Sequence, residues 1–178
     1  MDSVMIIQFN ENAKYSLKVL LAIINSRLSN YYYTQLSQET GRAFAQVKPQ
    51  VIRKLRVPNE ILEQDRIEIL VDKMEEASKK FLLLLGSFID FVLNKLNVSS
   101  SKFTYWHNLT SVEFLKELQK TKVKITLNEE ADWLKYFEEQ KAKAKILNQE
   151  INKIDKEIDV IVYKLYNLTE EEIKIVEG

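Results

Sequence analysis

The chain contains no cysteine, which excludes disulfides and thiolate zinc sites. Its one histidine, His107, cannot build a metal site unless several carboxylates converge on it. Three glycines and two prolines in 178 residues are too few for the many turns of an all-β fold. The motifs of common chemistries are missing as well. There is no glycine-rich phosphate loop, no nucleophile elbow, no dinucleotide fingerprint and no metal-spaced His or Cys set. A metal-dependent nuclease needs an acidic pair followed by an acid-x-Lys strand, and the one candidate strand, residues 122–127, has no acid. The most apolar run, residues 81–85, is far too short to span a bilayer. The first twenty residues lack both a Lys/Arg-rich start and a small-residue cleavage site, so the expectation is a soluble, cytoplasmic protein without membrane contact.

What remains is a chain that is 46% hydrophobic and 29% charged. With so little glycine and proline, that composition points to long helices. The formal net charge of zero conceals segregation. Between residues 26 and 58, Arg27, Arg42, Lys48, Arg53, Lys54 and Arg56 face Glu39 alone. Residues 129–178 carry thirteen acids against eight lysines. The basic stretch is a candidate phosphate-facing surface or an ordinary basic one, and the acidic stretch reads as a solvated helix face.

Apolar spacing locates the elements. Residues 5–9 read as a short strand, and residues 14–34 as one helix with Leu17, Leu20, Leu21, Ile24, Leu28 and Tyr31 on one face. The run Tyr31, Tyr32, Tyr33 suits packing at a helix end or stacking on nucleic-acid bases. Residues 51–57 alternate weakly and read as a short strand ended by Pro58. Residues 60–97 form a long helix striped by Ile67, Val71, Met74, Phe81, Leu85, Phe88 and Val92, with a bend expected at Gly86 and Ser87. Trp106 reads as a packing aromatic beside a polar loop histidine. Thr110 to Glu113 fits a capping box, and so does Thr169 to Glu172. Residues 122–127 alternate like a small strand or extended connector.

From Trp133 to Leu168 apolar residues recur in steps of four and three for about five heptads, the coiled-coil template. Two such helices separated by some thirty residues pack antiparallel within one chain or pair between chains. The long connection favours the intramolecular pair. The expected fold is therefore mainly α (α+β with minor strands), with two long antiparallel helices. Residues 1–58 form a first region, and residues 59–178 a helical spacer with a small helix–strand insertion at 98–128.

The segment rich in cations also carries a family pattern. Leu20 to Leu28 running into Asn30 to Tyr33, the loop Gly41-Arg42-Ala43-Phe44-Ala45-Gln46-Val47-Lys48, and the stretch Ile52 to Pro58 resemble the TaqI-like C-terminal specificity domain. That domain belongs to type IIG restriction–modification enzymes and adenine-specific DNA methyltransferases. Glu63-Gln64-Asp65-Arg66-Ile67 is similar to the start of the conserved helix in type I specificity subunits. The stretch from Ile158 to Ile173 resembles the usual end of the family, with Asn167 where glycine is common. Ala45 replaces a usual proline, and Pro58 stands alone where Pro-x-Pro is usual.

The resemblance implies target recognition: a C-terminal piece that selects a double-stranded DNA sequence for methyltransferase or endonuclease domains elsewhere in the polypeptide. It implies no catalytic residue here, and S-adenosylmethionine and Mg only in those other domains. The residues implied nearest DNA are Arg42, Gln46, Lys48, Arg53 and Arg56, since Arg and Gln read guanine and adenine edges. The alternative is a helical interaction or oligomerisation module, with a homodimer formed through the helices.

Overall fold

The computed structural model describes residues 13–37, 49–96, 103–121, 123 and 125–178. Among them there is no strand, and the elements in order are α1 (Leu17–Asn25), α2 (Arg27–Ser37), α3 (Pro49–Ile52), α4 (Gln64–Leu96), a 3-10 turn (Trp106–Asn108), α5 (Ser111–Lys120), α6 (Leu127–Leu165) and α7 (Glu170–Glu177). The fold is mainly α and is organised around α4, of 33 residues, and α6, of 39. The strand expected at residues 5–9 lies outside the described residues. No described helix is long and apolar enough to cross a membrane.

The chain divides into two compact units, residues 1–73 with 154–178, and residues 74–153. Each contains one stretch of α4 and one of α6. In the second unit the two stretches run antiparallel: Phe88 meets Phe137 and Phe91 meets Trp133, so rising numbers on α4 face falling numbers on α6. The core there is aromatic, with Phe88, Phe103, Trp106, Phe114 and Phe137 all buried. The rings of Phe114 and Phe137 stack at 4.3 Å, and Phe88 stacks on Trp106 at 3.9 Å. His107 lies edge-on to Phe81 at 5.5 Å, and burial holds its pKa below the usual 6.5. It packs edge-on to Trp106 as well, at 6.1 Å.

Helix ends follow side-chain chemistry. Thr110 and Thr169 close capping boxes with Glu113 and Glu172, which holds both carboxyls below their ordinary range through hydrogen bonds from the threonine N–H and hydroxyl. A third box starts α6. Thr126 N–H donates to Glu129 Oε2 at 2.8 Å, and Glu129 N–H donates to Thr126 Oγ1 at 3.4 Å. Of the stretch expected as a small strand or extended connector, the described residues 123, 125 and 126 form no strand, and α6 begins at Leu127 behind this cap. At the other end of α6, Asn167 takes a φ of 53°, with Leu168 N–H donating to Tyr163 O at 3.0 Å. That left-handed residue closes the helix, and asparagine tolerates the position better than any other residue except glycine.

The single helix expected over residues 14–34 is instead two. Ser26 adopts an extended ψ of 156° between α1 and α2. Its hydroxyl donates to Ile23 O at 2.7 Å and accepts from Ser29 N–H at 3.2 Å, ending one helix and capping the next. α4 runs as one helix through Gly86 and Ser87. A Cβ added at Gly86 would meet nothing within 4 Å. Gly86→Ala is therefore expected to raise stability in dilute solution by about 0.5–1 kcal/mol, through lower unfolded-state entropy. A urea melt followed at 222 nm measures it, and an unchanged or lower midpoint would count against a freely exposed glycine.

Candidate functional site

Of the five residues expected to face DNA, Arg42, Gln46 and Lys48 lie outside the described residues. Arg53 and Arg56 are described, and both are exposed, as is Lys54 between them. All three sit just beyond α3, in the first unit. The weak alternation of residues 51–57 suggested a strand there, but the chain makes a helical turn. Lys54 N–H donates to Val51 O at 2.9 Å and Leu55 N–H to Ile52 O at 3.0 Å. The turn wins because α3 packs on α2 and buries Val51, an anchorage that a two-faced strand without a partner strand would lack.

The backbone of the cationic turn is braced from far along the chain. The Tyr166 hydroxyl, at the end of α6, donates to Arg56 O. Burial, with Tyr15 nearby, pushes the Tyr166 pKa up to about 12, so the hydroxyl remains a donor at every physiological pH. Arg56 and Tyr166 line a hollow of about 200 Å³ together with Leu28, Ser29, Tyr32 and Leu55. Of the three consecutive tyrosines, Tyr32 is the exposed one at 41%. A cationic edge, an aromatic ring and an apolar floor thus meet in one place. The geometry suits a phosphate held beside a planar or apolar group. The tyrosine run that holds Tyr32 was a stacking candidate from local sequence, but the role of Tyr166 was not legible there, because it is 110 residues from Arg56.

A second hollow, of about 320 Å³, lies in the second unit among Phe91, Lys95, Glu129, Asp132, Trp133 and Tyr136. Among the described residues two carboxylates and one cation rim it, and that cation, Lys95, already sits 5.9 Å over the Phe91 ring.

Among the described residues, the buried carboxylate near the basic region, Asp159, is structural. Asp159 is 3% exposed; its Oδ1 accepts the Arg27 N–H at 2.9 Å, and Oδ2 lies 3.3 Å from Arg27 Nε. Burial outweighs those contacts and pushes its pKa up. Among the described residues, no three His, Cys, Asp or Glu are grouped to hold a metal ion.

No curated protein and no solved structure matches the chain significantly. A family model does match, over residues 60–162, which takes in α4, α5 and most of α6 but begins after Arg56. That span is more than half of the chain, and the protein belongs to this family, a domain of unknown function (DUF8810).

Proposed function

We propose that the chain is a non-catalytic DNA-specificity module of a type II restriction–modification enzyme acting in the cytoplasm. In this reading it holds double-stranded DNA for methyltransferase or endonuclease domains elsewhere in the polypeptide, and S-adenosylmethionine and Mg belong to those domains. The observation that carries the reading is the exposed triplet Arg53, Lys54 and Arg56 on a turn whose backbone is tied to α6 through Tyr166. Cations on a fixed backbone position a phosphate strand, and arginine forks additionally read guanine edges. The resemblance of residues 41–58 to a specificity-domain loop supports the same surface, extended toward Arg42, Gln46 and Lys48. The long helices then act as a spacer rather than a reader.

Fluorescence anisotropy with a labelled duplex at low salt tests this. The double variant Arg53→Glu/Arg56→Glu is expected to lose affinity by about ten- to a hundredfold. Its log–log salt slope should become shallower by roughly two, one for each phosphate contact removed. Wild-type protein that fails to bind duplex at low salt, or a double variant that binds equally well, would sink the proposal.

A further inference from the structure

The most exposed apolar residues of α4 lie together on one face of the helix. Leu82 and Leu83 are 66% and 70% exposed. On a helix of 3.6 residues per turn, Lys79, Leu83, Gly86 and Asp90 share one stripe, with Leu82 on its flank. The face therefore presents, in chain order, a cation, two leucines, a glycine and an anion. Open space surrounds Gly86, where an added Cβ would touch nothing within 4 Å. Among the described residues Lys79 pairs with Glu75 one turn back, at 3.6 Å on the exposed surface, which commits it weakly.

That order is complementary to its own reverse. Laid antiparallel on a second α4, with a twofold axis between Leu83 and Gly86, each Leu83 falls opposite the other chain's Gly86. The missing side chain at Gly86 leaves a depression where the leucine fits, and each Lys79 falls opposite the other chain's Asp90. A parallel pairing would instead set Lys79 against Lys79 and Asp90 against Asp90. We propose that this face of α4 is a self-association surface whose occupant is the same face of a second copy of the chain, paired antiparallel about that axis. Such an interface is isologous, as twofold dimers require. It involves only about three helical turns per chain, well under the roughly 1,200 Å² of a stable complex, so the dimer is reversible and forms with rising concentration. The inference rests on residues of the second unit alone and does not depend on the DNA reading.

Sedimentation over about a hundredfold range of concentration reads it directly. Wild-type protein should pass from monomer to dimer, and Leu83→Glu should weaken the association more than tenfold with an unchanged circular-dichroism melt at low concentration. The charge swap tests the register. Asp90→Lys alone should weaken dimerisation several-fold, and Lys79→Glu/Asp90→Lys should restore it. Protein that stays monomeric throughout overturns the proposal. So does a dimer indifferent to Leu83→Glu, or one that the double swap fails to restore.

Discussion

Trp106→Ala is expected to destabilise the second unit by about 3–5 kcal/mol, the range for emptying a fully buried large aromatic site. Trp106 has no exposed surface. Its ring stacks on Phe88 at 3.9 Å and meets Phe137 edge-on at 6.1 Å. Its Nε1 donates to Leu85 O at 3.2 Å, which ties the 3-10 turn to the backbone of α4. Truncation removes the ring contacts and the hydrogen bond together. The neighbours are aromatic and stiff, so the cavity will not collapse readily. Trp106→Phe keeps most of the apolar area and loses the donor and part of the volume; a cost of about 1–2 kcal/mol follows, near the net worth of one hydrogen bond plus a partial void. Urea titration followed by near-ultraviolet circular dichroism separates the two variants. An alanine variant within about 1 kcal/mol of wild type would mean that the aromatic cluster is not the core.

The elements that sequence reading placed well are those whose pattern repeats. Ile67, Val71, Phe88 and Val92 on α4, and Phe137, Ala144, Ile154, Ile158 and Ile161 on α6, fall on the expected stripes and are buried. Two long helices with unbroken stripes hide them against one another, and a long connection reverses the chain. The capping boxes at Thr110 and Thr169 were legible because their four-residue spacing is purely local. The box at Thr126 has the same spacing, but the alternating Lys-Val-Lys-Ile-Thr-Leu around it imitates a strand. Gly86 weakens helix propensity without removing a hydrogen bond, and α4 stays continuous through it.

What local pattern could not show is set by distant partners. The apolar period runs smoothly from Leu17 to Tyr31 and masks the break at Ser26. Part of that break is local, in the Ser26 hydroxyl bonded to Ile23 O and Ser29 N–H, and part comes from Asp159, 132 residues away, which meets the first N–H of α2. At the candidate site, Arg53 and Arg56 were recognisable as a cationic cluster by composition. The ring of Tyr166 that completes the hollow comes from the end of α6. A basic patch is therefore readable from sequence, and its shape is not.

That distant contact makes Asp159→Ala the second large effect, at about 1.5–3 kcal/mol, the worth of a hydrogen bond to a charged group. The Arg27 N–H belongs to the first turn of α2, where no intrahelical acceptor exists. Asp159 Oδ1 supplies one and also places negative charge at the positive end of the helix. Alanine leaves the N–H half-buried without that acceptor. Asp159→Asn keeps an amide oxygen for it and removes a charge that burial disfavours, so it should cost under about 1 kcal/mol near neutral pH. Arg27→Ala keeps the backbone N–H cap but takes the cation from a carboxylate that is only 4% exposed, so it should push the Asp159 pKa further up. The pH dependence separates cap from charge. The folded-state pKa of Asp159 is raised above the ordinary aspartate value of 3.8, chiefly by burial. The folded protein therefore takes up this proton before the unfolded chain does. The benefit is complete below that unfolded value and is lost as pH rises through the raised folded value. Relative to Asp159→Asn, wild type should thus gain stability as pH falls across that window. Thermal melts of wild type, the Ala variant and the Asn variant through the carboxylate range decide it. A wild type that loses ground to Asn on acidification would show that the Arg27 pairing, not burial, governs the carboxylate.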